Sequence, residues 1–208
     1  MGVKQPWFVF SSSSGETFEK LYNSLSHEAK NSLQAFYVDR ECGAFERAQK
    51  ILGSDKVKSF SKKEFEASVL NLLKNSGHSQ AIILLCGFFG ILTKAILDQC
   101  PFTVLNTHPS LLPAFPGLDK KVHQAVFDQA HFSGFTLHLV NETLDGGAIV
   151  FQKSLSIKET KTWEECRDKV RDLEQTELPK IWDKVLELSF RPEDRYSTAR
   201  QLLQKYNF

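Results

Sequence analysis

The sequence lacks the features that mark a secreted protein, a membrane protein or a zinc protein. Its cysteines, Cys42, Cys86, Cys100 and Cys166, show no C-x-x-C spacing, which favours reduced thiols over a disulfide framework or a zinc site. No apolar run is long enough to span a membrane, and the N-terminus has no apolar segment of signal-peptide length. We therefore expect a cytoplasmic protein with no membrane partner and no metal.

An excess of charge of one sign is also missing. The 208 residues include 26 Lys+Arg and 25 Asp+Glu, which gives a formal net charge of +1. This balance favours neither a nucleic-acid partner nor a strongly charged protein partner. The hydrophobic content of 41% is enough for one sizeable core. We expect small-molecule substrates, and the sequence does not distinguish a monomer from a dimer.

Short apolar runs alternate with amphipathic stretches along the first half of the chain. This pattern predicts strands at 7–11, 35–38, 56–60, 81–85 and 102–105, and helices at 16–29, 43–52, 61–75 and 91–98. The run A-I-I-L-L at 81–85 is typical of a parallel strand that is covered on both faces. The alternation predicts an α/β fold with a doubly wound, mostly parallel, Rossmann-like sheet.

The second half of the chain has a different pattern. A helix is predicted at 118–129, and strands at 134–140 and 148–155 indicate an antiparallel extension of the sheet. The T-W-E-E sequence at 162–165 has the form of a capping box, which predicts the start of a long helix that ends near residue 188. We expect one main domain over residues 1–189 and a polar, partly helical C-terminal tail over residues 190–208.

The sequence N-T-H-P-S-L-L-P at 106–113 directly follows a predicted buried strand. In an extended chain the side chains of residues i and i+2 point the same way, so Asn106 and His108 can face one small volume. Asp145 precedes two glycines, where a tight turn lets the chain approach a ligand closely. An amide, an imidazole and a carboxylate that converge in this way suit a reaction that develops an oxyanion and moves a proton.

Several candidate segments follow predicted parallel strands directly. They are the turn after Phe10, the turn after Leu85 and the segment 106–108. Ligands of open α/β sheets bind outside the carboxyl ends of the strands. The topology alone therefore brings the candidate residues together.

These motifs resemble those of the folate-dependent formyltransferases. The resemblance rests on N-T-H-P-S-L-L-P, on P-G-L at 116–118 and on H-L-V-N-E-T-L-D-G-G at 138–147. It also includes C-G-F-F-G-I-L at 86–92 and A-F-E-R-A at 44–48, and it extends from about residue 8 to about residue 186. It implies a formyltransferase catalytic domain that uses 10-formyltetrahydrofolate as co-substrate. The length of the chain favours the members of the family that formylate glycinamide ribonucleotide.

The resemblance also implies roles for individual residues. Asn106 resembles the amide that donates to the formyl oxygen, His108 the imidazole that stabilises the oxyanion, and Asp145 the carboxylate that pairs with that imidazole. The expected folate-binding residues are Leu85, Phe89, Gly90, Ile91, Leu92, Val104, Val140, Asn141, Glu142, Thr143 and Leu144. The expected acceptor- and phosphate-binding residues are Ser14, Gly15, Glu16, Thr17, Gly87, Pro109, Arg171 and Glu174.

The chain departs from the family in the turn that holds the acceptor's phosphate. The family sequence G-x-G-S-N is replaced here by S-S-G-E-T at 13–17, so Glu16 stands where a serine contacts phosphate. A carboxylate at a helix N-terminus competes with an incoming phosphate. The alternatives are therefore a formyltransferase for another amine, such as an amino sugar nucleotide, or a catalytically silent folate-binding homologue. Gly90 replaces a basic residue of the family, and His138 fits either the core or the site.

Overall fold

A seven-stranded sheet organises the chain in the computed structural model, which describes residues 4–206 without the side chains of residues 119 and 120. Its strands are β1 (Trp7–Ser11), β2 (Leu33–Val38), β3 (Val57–Ser59), β4 (Ile82–Leu85), β5 (Thr103–His108), β6 (Phe132–Leu139) and β7 (Ile149–Ser156). They are arranged in the order β3-β2-β1-β4-β5-β6-β7. Strands β1 to β5 pair in parallel, whereas β6 and β7 are antiparallel. The predicted fold class is confirmed.

The helices lie between these strands and after them. They are α1 (Glu16–Ser24), α2 (His27–Ser32), α3 (Gly43–Leu52), α4 (Phe65–Lys74), α5 (Lys94–Gln99), α6 (Asp119–Gln129), α7 (Trp163–Val185) and α8 (Ala199–Tyr206). Thr162 caps α7 by accepting a hydrogen bond from the Glu165 N–H at 3.2 Å, as its sequence predicts. No helix in the described part of the chain is long and apolar enough to span a membrane.

The central strands are covered on both faces. Trp7 and Val9 of β1 point into one apolar core together with Trp182 of α7. Phe8 and Phe10 point into a second core on the opposite face. Because successive side chains of a strand alternate between faces, burial on both sides requires the continuous apolar runs seen in the sequence.

The helix predicted at 16–29 is in fact two helices, α1 and α2. Ser26 caps α2 by accepting a hydrogen bond from the Ala29 N–H at 3.2 Å, and its own N–H donates to Asp183 at 3.3 Å. The hydrogen bond to Asp183 of α7 stabilises the break between α1 and α2. The sequence of residues 16–29 alone does not indicate this break. The helix predicted at 61–75 begins only at Phe65, because Ser61 hydrogen-bonds the Glu64 side chain instead of capping a backbone N–H.

Two other element boundaries bear on the site. The helix predicted at 91–98 is α5, which begins at Lys94, so 86–92 is left as a loop. The strand predicted at 102–105 continues to His108 as β5, since it pairs with β6 through Asn106 opposite His138 and His108 opposite Thr136. Asn106 and His108 are therefore held by a sheet ladder.

The C-terminal segment, predicted to be a polar tail, packs against the domain. Phe190 and Leu202 are buried in the same core as Trp182. The buried Asp194 carboxylate accepts hydrogen bonds from Lys205 and Tyr206, and burial together with this bond raises the pKa of Tyr206 to about 12. Residues 207 and 208 of the predicted tail lie outside the described residues.

Candidate active site

A buried polar cluster lies where β5 and β6 run side by side. Asn106 and His138 are direct cross-strand neighbours, and the Asn106 Nδ2 atom lies 3.1 Å from His138 Nε2. His138 Nδ1 lies 2.9 Å from the Leu139 carbonyl oxygen. A carbonyl oxygen can only accept, so Nδ1 carries the proton and Nε2 accepts from the Asn106 amide. The contact fixes the orientation of Asn106 and leaves its second amide hydrogen for a ligand.

The sequence is compatible with His138 in the core or in the site, and the structure places it in both. It is almost fully buried, yet it lines the same cavity as Asn106. Burial lowers the pKa of His138, and this effect exceeds the opposing influence of the Leu139 carbonyl and of Asp145. The imidazole is therefore neutral near pH 7, as its acceptor role towards Asn106 requires.

The Asp145 carboxylate lies between His138 and His108. Its Oδ2 atom is 3.5 Å from His108 Nδ1, and its Oδ1 atom is 3.7 Å from His138 Nε2. Oδ2 also accepts a hydrogen bond from the Gly117 N–H at 2.8 Å, and His108 Nε2 donates to the Phe115 carbonyl at 2.9 Å. The predicted amide, imidazole and carboxylate thus meet in one place.

A cavity of about 180 Å³ opens next to this cluster. Most of the residues predicted to bind folate line it, namely Leu85, Phe89, Gly90, Ile91, Leu92, Val140, Asn141, Glu142, Thr143 and Leu144. Exposed apolar side chains at its rim, Phe89, Ile91 and Leu144, suit a flat, largely apolar ligand. We call it the first cavity.

Val104 is a predicted folate-binding residue that the structure places elsewhere. Its side chain is buried in the second core, and its carbonyl oxygen accepts a hydrogen bond from the Val140 N–H at 2.8 Å. Val104 lies on the same face of β5 as Asn106 but two residues further from the carboxyl end of the strand, where the second core covers it. Val104 therefore contributes indirectly, through its backbone hydrogen bond to Val140, which lines the cavity.

Phe88 lines the first cavity although the sequence did not single it out. A Cβ atom on Gly90 would lie 2.6 Å from Cζ of the Phe88 ring. The ring therefore occupies the space that a side chain at position 90 would need. The loop is anchored by Ser12, whose Oγ accepts a hydrogen bond from the Phe89 N–H at 3.1 Å and whose N–H donates to the Gly87 carbonyl.

A second cavity, of about 350 Å³, lies at the N-terminus of α1. The residues predicted to bind the acceptor line it, except Pro109, which lines the first cavity; they are Ser14, Gly15, Glu16, Thr17, Gly87, Arg171 and Glu174. His123 and Arg167 also line it, and sequence reasoning missed both. Thr17, Gly87, Phe89 and Glu174 line both cavities, so the two adjoin.

Gly15 allows the backbone that lines the second cavity to pack closely against Ala44. It has a φ of 80°, and a Cβ atom there would lie 2.7 Å from the Cα atom of Ala44. As the N-cap of α1 it provides no side-chain hydrogen bond. The first-turn N–H groups of such a helix attract anions.

Glu174 lies on α7 at the junction of the two cavities. Burial raises the pKa of its carboxyl group, whereas a hydrogen bond with the Thr107 side chain and the nearby Arg171 guanidinium oppose the rise. Such a group takes up a proton more readily than an exposed glutamate. Among the described residues, no group of three or more His, Cys, Asp or Glu side chains is placed to hold a metal ion.

The stability of the protein should depend on the titration of His138. Between the ordinary histidine pKa of about 6.5 and the lower folded value, the unfolded chain binds one more proton. The unfolding free energy should therefore fall as the pH drops through this window, by up to about 1.4 kcal/mol per pH unit.

We expect a shallower decline of the unfolding free energy in His138→Gln, whose amide oxygen can still accept a hydrogen bond from Asn106. Denaturant titrations between about pH 5 and pH 8 measure the difference; identical pH slopes would contradict it.

Comparisons with known proteins agree with this geometry. The family model described as formyl transferase matches residues 7–181. The chain is 32% identical over 191 residues to the phosphoribosylglycinamide formyltransferase of Bacillus subtilis, with 89% of this chain and 96% of that protein covered.

Solved structures are similar as well. The crystal structure of phosphoribosylglycinamide formyltransferase from Bacillus halodurans gives a TM-score of 0.73 at 27% identity, and the match covers 90% of this chain and all of that one. Glycinamide ribonucleotide transformylase 1 from Symbiobacterium toebii has the same fold, with a TM-score of 0.75 at 24% identity and 90% of each chain covered. The resemblance in the sequence is confirmed, and the chain belongs to the formyl transferase family.

Proposed function

We propose that this enzyme transfers a formyl group from 10-formyltetrahydrofolate to the amine of glycinamide ribonucleotide, a step of purine biosynthesis, in the cytoplasm and without a metal. The observation that carries the proposal is the meeting of Asn106, His108 and Asp145 beside two adjoining cavities. Formyl transfer needs this arrangement, because two substrates must reach one oxyanion-stabilising group from different sides. The relatives named for this reaction support the choice of acceptor.

The first cavity suits the pterin end of the folate. Its rim offers apolar surface from Phe89, Ile91 and Leu144, and its lining also includes the polar side chains from Asn141 to Thr143. A pterin ring needs both, because it has a flat apolar face and a hydrogen-bonding edge. Bound there, 10-formyltetrahydrofolate supplies the formyl group and a nitrogen leaving group.

Asn106 and His108 act on the formyl oxygen. The bond between the acceptor nitrogen and the formyl carbon forms while negative charge develops on that oxygen. Asn106, held by His138, is oriented to donate its free amide hydrogen there without reorganisation. His108 lines the same cavity two residues along the strand, and its Nε2–H reaches the formyl oxygen once it leaves the Phe115 carbonyl.

The proton lost by the acceptor amine must reach the folate nitrogen as the bond from the formyl carbon to that nitrogen breaks. His108 and Asp145 provide the route, and because 3.5 Å between Nδ1 and Oδ2 is longer than a hydrogen bond, a water beside the pair relays the proton. Glu174 lies where the cavities join and can accept a hydrogen bond from the amine. Such a hydrogen bond aligns the attacking amine on the formyl carbon.

An amine other than glycinamide ribonucleotide is the second candidate acceptor. The observation that favours it is the Glu16 carboxylate, which lies 3.2 Å from Arg171 at the end of the second cavity where a phosphate would dock. Both candidates use the same catalytic cluster.

The two acceptors are separated by comparing rates. Formyl transfer from 10-formyltetrahydrofolate is followed by folate absorbance with glycinamide ribonucleotide and with an amino sugar nucleotide, and the products are identified by mass. We expect a larger kcat/KM for the ribonucleotide. A larger value for the sugar would replace the proposed acceptor, and transfer to neither while folate binds would indicate a silent homologue.

A further inference from the structure

The Glu16 carboxylate lies among the arginine side chains at one end of the second cavity. Its Oε2 atom is 3.2 Å from Arg171 Nη1, and its Oε1 atom is 3.8 Å from Arg47 Nη2. Arg47 also pairs with Glu19 on the next turn of α1. At 40% exposure, the Glu16 side chain is open to an entering ligand.

The neighbouring cations are paired in the same way. Arg171 Nη2 lies 3.6 Å from Asp168, and Arg167 Nη2 lies 2.8 Å from the same carboxylate. The guanidinium groups of this end of the cavity are therefore already balanced by carboxylates of the chain itself. An anionic ligand gains from such an arginine only if it replaces the carboxylate bound to it.

Glu16 also lies at the other feature of the cavity that attracts an anion, the N-terminus of α1. It is the first residue of α1, whose N-cap Gly15 provides no side-chain hydrogen bond. A negative side chain in the first turn is stabilised by the helix dipole, which would otherwise favour a bound phosphate. Glu16 thus offsets the positive charge of both the helix N-terminus and Arg171, and Arg167, the other arginine that lines this cavity, is paired with Asp168.

We propose that Glu16 is an internal counter-ion that a phosphate of the acceptor must displace, so this residue sets how strongly the enzyme discriminates against phosphorylated acceptors. The inference rests on the proposed function in one respect, namely that the second cavity receives the acceptor. An acceptor with a neutral hydroxyl at this end binds without meeting the carboxylate. A phosphorylated acceptor binds only after Glu16 has left Arg171.

Binding of ribose 5-phosphate and of ribose, measured by calorimetry on the full chain, tests this without requiring turnover. Glu16→Gln keeps the size of the side chain and removes its charge. We expect about tenfold tighter binding of ribose 5-phosphate by the variant, a modest gain because the pair is partly exposed and screened by salt. Ribose should bind equally to both proteins. An unchanged affinity for ribose 5-phosphate would overturn the proposal.

Glu19→Gln is the matched control. It removes the same charge from the same helix, but Glu19 pairs with Arg47 and does not line the second cavity. We expect little change in phosphate binding, whereas a gain equal to that of Glu16→Gln would show a general charge effect and overturn the proposal. In the double variant Glu16→Gln/Arg171→Met the gain should disappear.

The KM for glycinamide ribonucleotide provides a second readout. A fall of about tenfold in Glu16→Gln is expected if the phosphate docks in this cavity. Tighter binding of ribose 5-phosphate without any formyl transfer would uphold the role of Glu16 and reject the proposed function. Formyl transfer by the wild type with unchanged phosphate binding in the variant would uphold the function and reject the role of Glu16.

Discussion

Replacing Asn106 by alanine should lower kcat by about 100- to 1,000-fold, the usual cost of losing one oxyanion donor. The amide is oriented by a 3.1 Å contact with the buried His138, so no neighbouring side chain takes over its hydrogen bond without rearrangement. Because the donor acts mainly on charge that develops during the reaction, KM for either substrate should change little. Steady-state kinetics with saturating folate measure both constants.

Asn31→Ala is a suitable control for this variant. It makes the same chemical change on α2, where the Asn31 side chain is exposed and forms a hydrogen bond with the side chain of His27. Its kcat should equal that of the wild type. A kcat of Asn106→Ala within about tenfold of the wild type would mean that the charge is stabilised by another group.

Gly147→Ala should destabilise the protein by about 3 kcal/mol and also impair catalysis. A Cβ atom at this position would lie 1.7 Å from the Leu139 carbonyl oxygen, so the backbone must move. The same oxygen accepts a hydrogen bond from His138 Nδ1–H at 2.9 Å. A shift of Leu139 therefore disturbs His138 and, through it, Asn106. Denaturant unfolding gives the stability loss, and kcat at a temperature where the variant is folded gives the catalytic loss.

Gly53→Ala separates steric overlap from backbone preference. Gly53 has a φ of 82°, but a Cβ atom there would have nothing within 4 Å. Its substitution should cost only the strain of its backbone conformation, with φ 82° and ψ 160°, about 1–3 kcal/mol, and leave kcat unchanged. Equal stability losses at the two positions, with normal kcat in Gly147→Ala, would show that the Leu139 contact does not position the site.

The parts of the fold that depend on local pattern could be predicted from the sequence. The apolar run at 81–85 predicted a buried parallel strand, and β4 lies at the centre of the sheet. The i, i+2 spacing of Asn106 and His108 predicted a common direction, and both lie on β5 beside the first cavity. These inferences need only the alternation of side chains along a strand.

The parts that depend on distant contacts could not be predicted. The break between α1 and α2 is held by Ser26 and Asp183, which are 157 residues apart. The extension of β5 comes from its pairing with β6. His123 and Arg167 reach the second cavity because α6 and α7 pack there, and no local spacing indicates this.

Glu16 illustrates both what the sequence could predict and what it could not. The sequence alone revealed a carboxylate in a turn expected to hold phosphate. It did not reveal the partner, because Arg171 lies 155 residues further along the chain. The ion pair turns a local departure from the family pattern into a specific hypothesis about acceptor binding.

The most direct test of the central claim is formyl transfer from 10-formyltetrahydrofolate to glycinamide ribonucleotide, followed by folate absorbance with the wild type and Asn106→Ala side by side. We predict turnover by the wild type and a loss of about 100- to 1,000-fold in the variant. An inactive wild type that still binds folate, or equal turnover by the two proteins, would contradict the account.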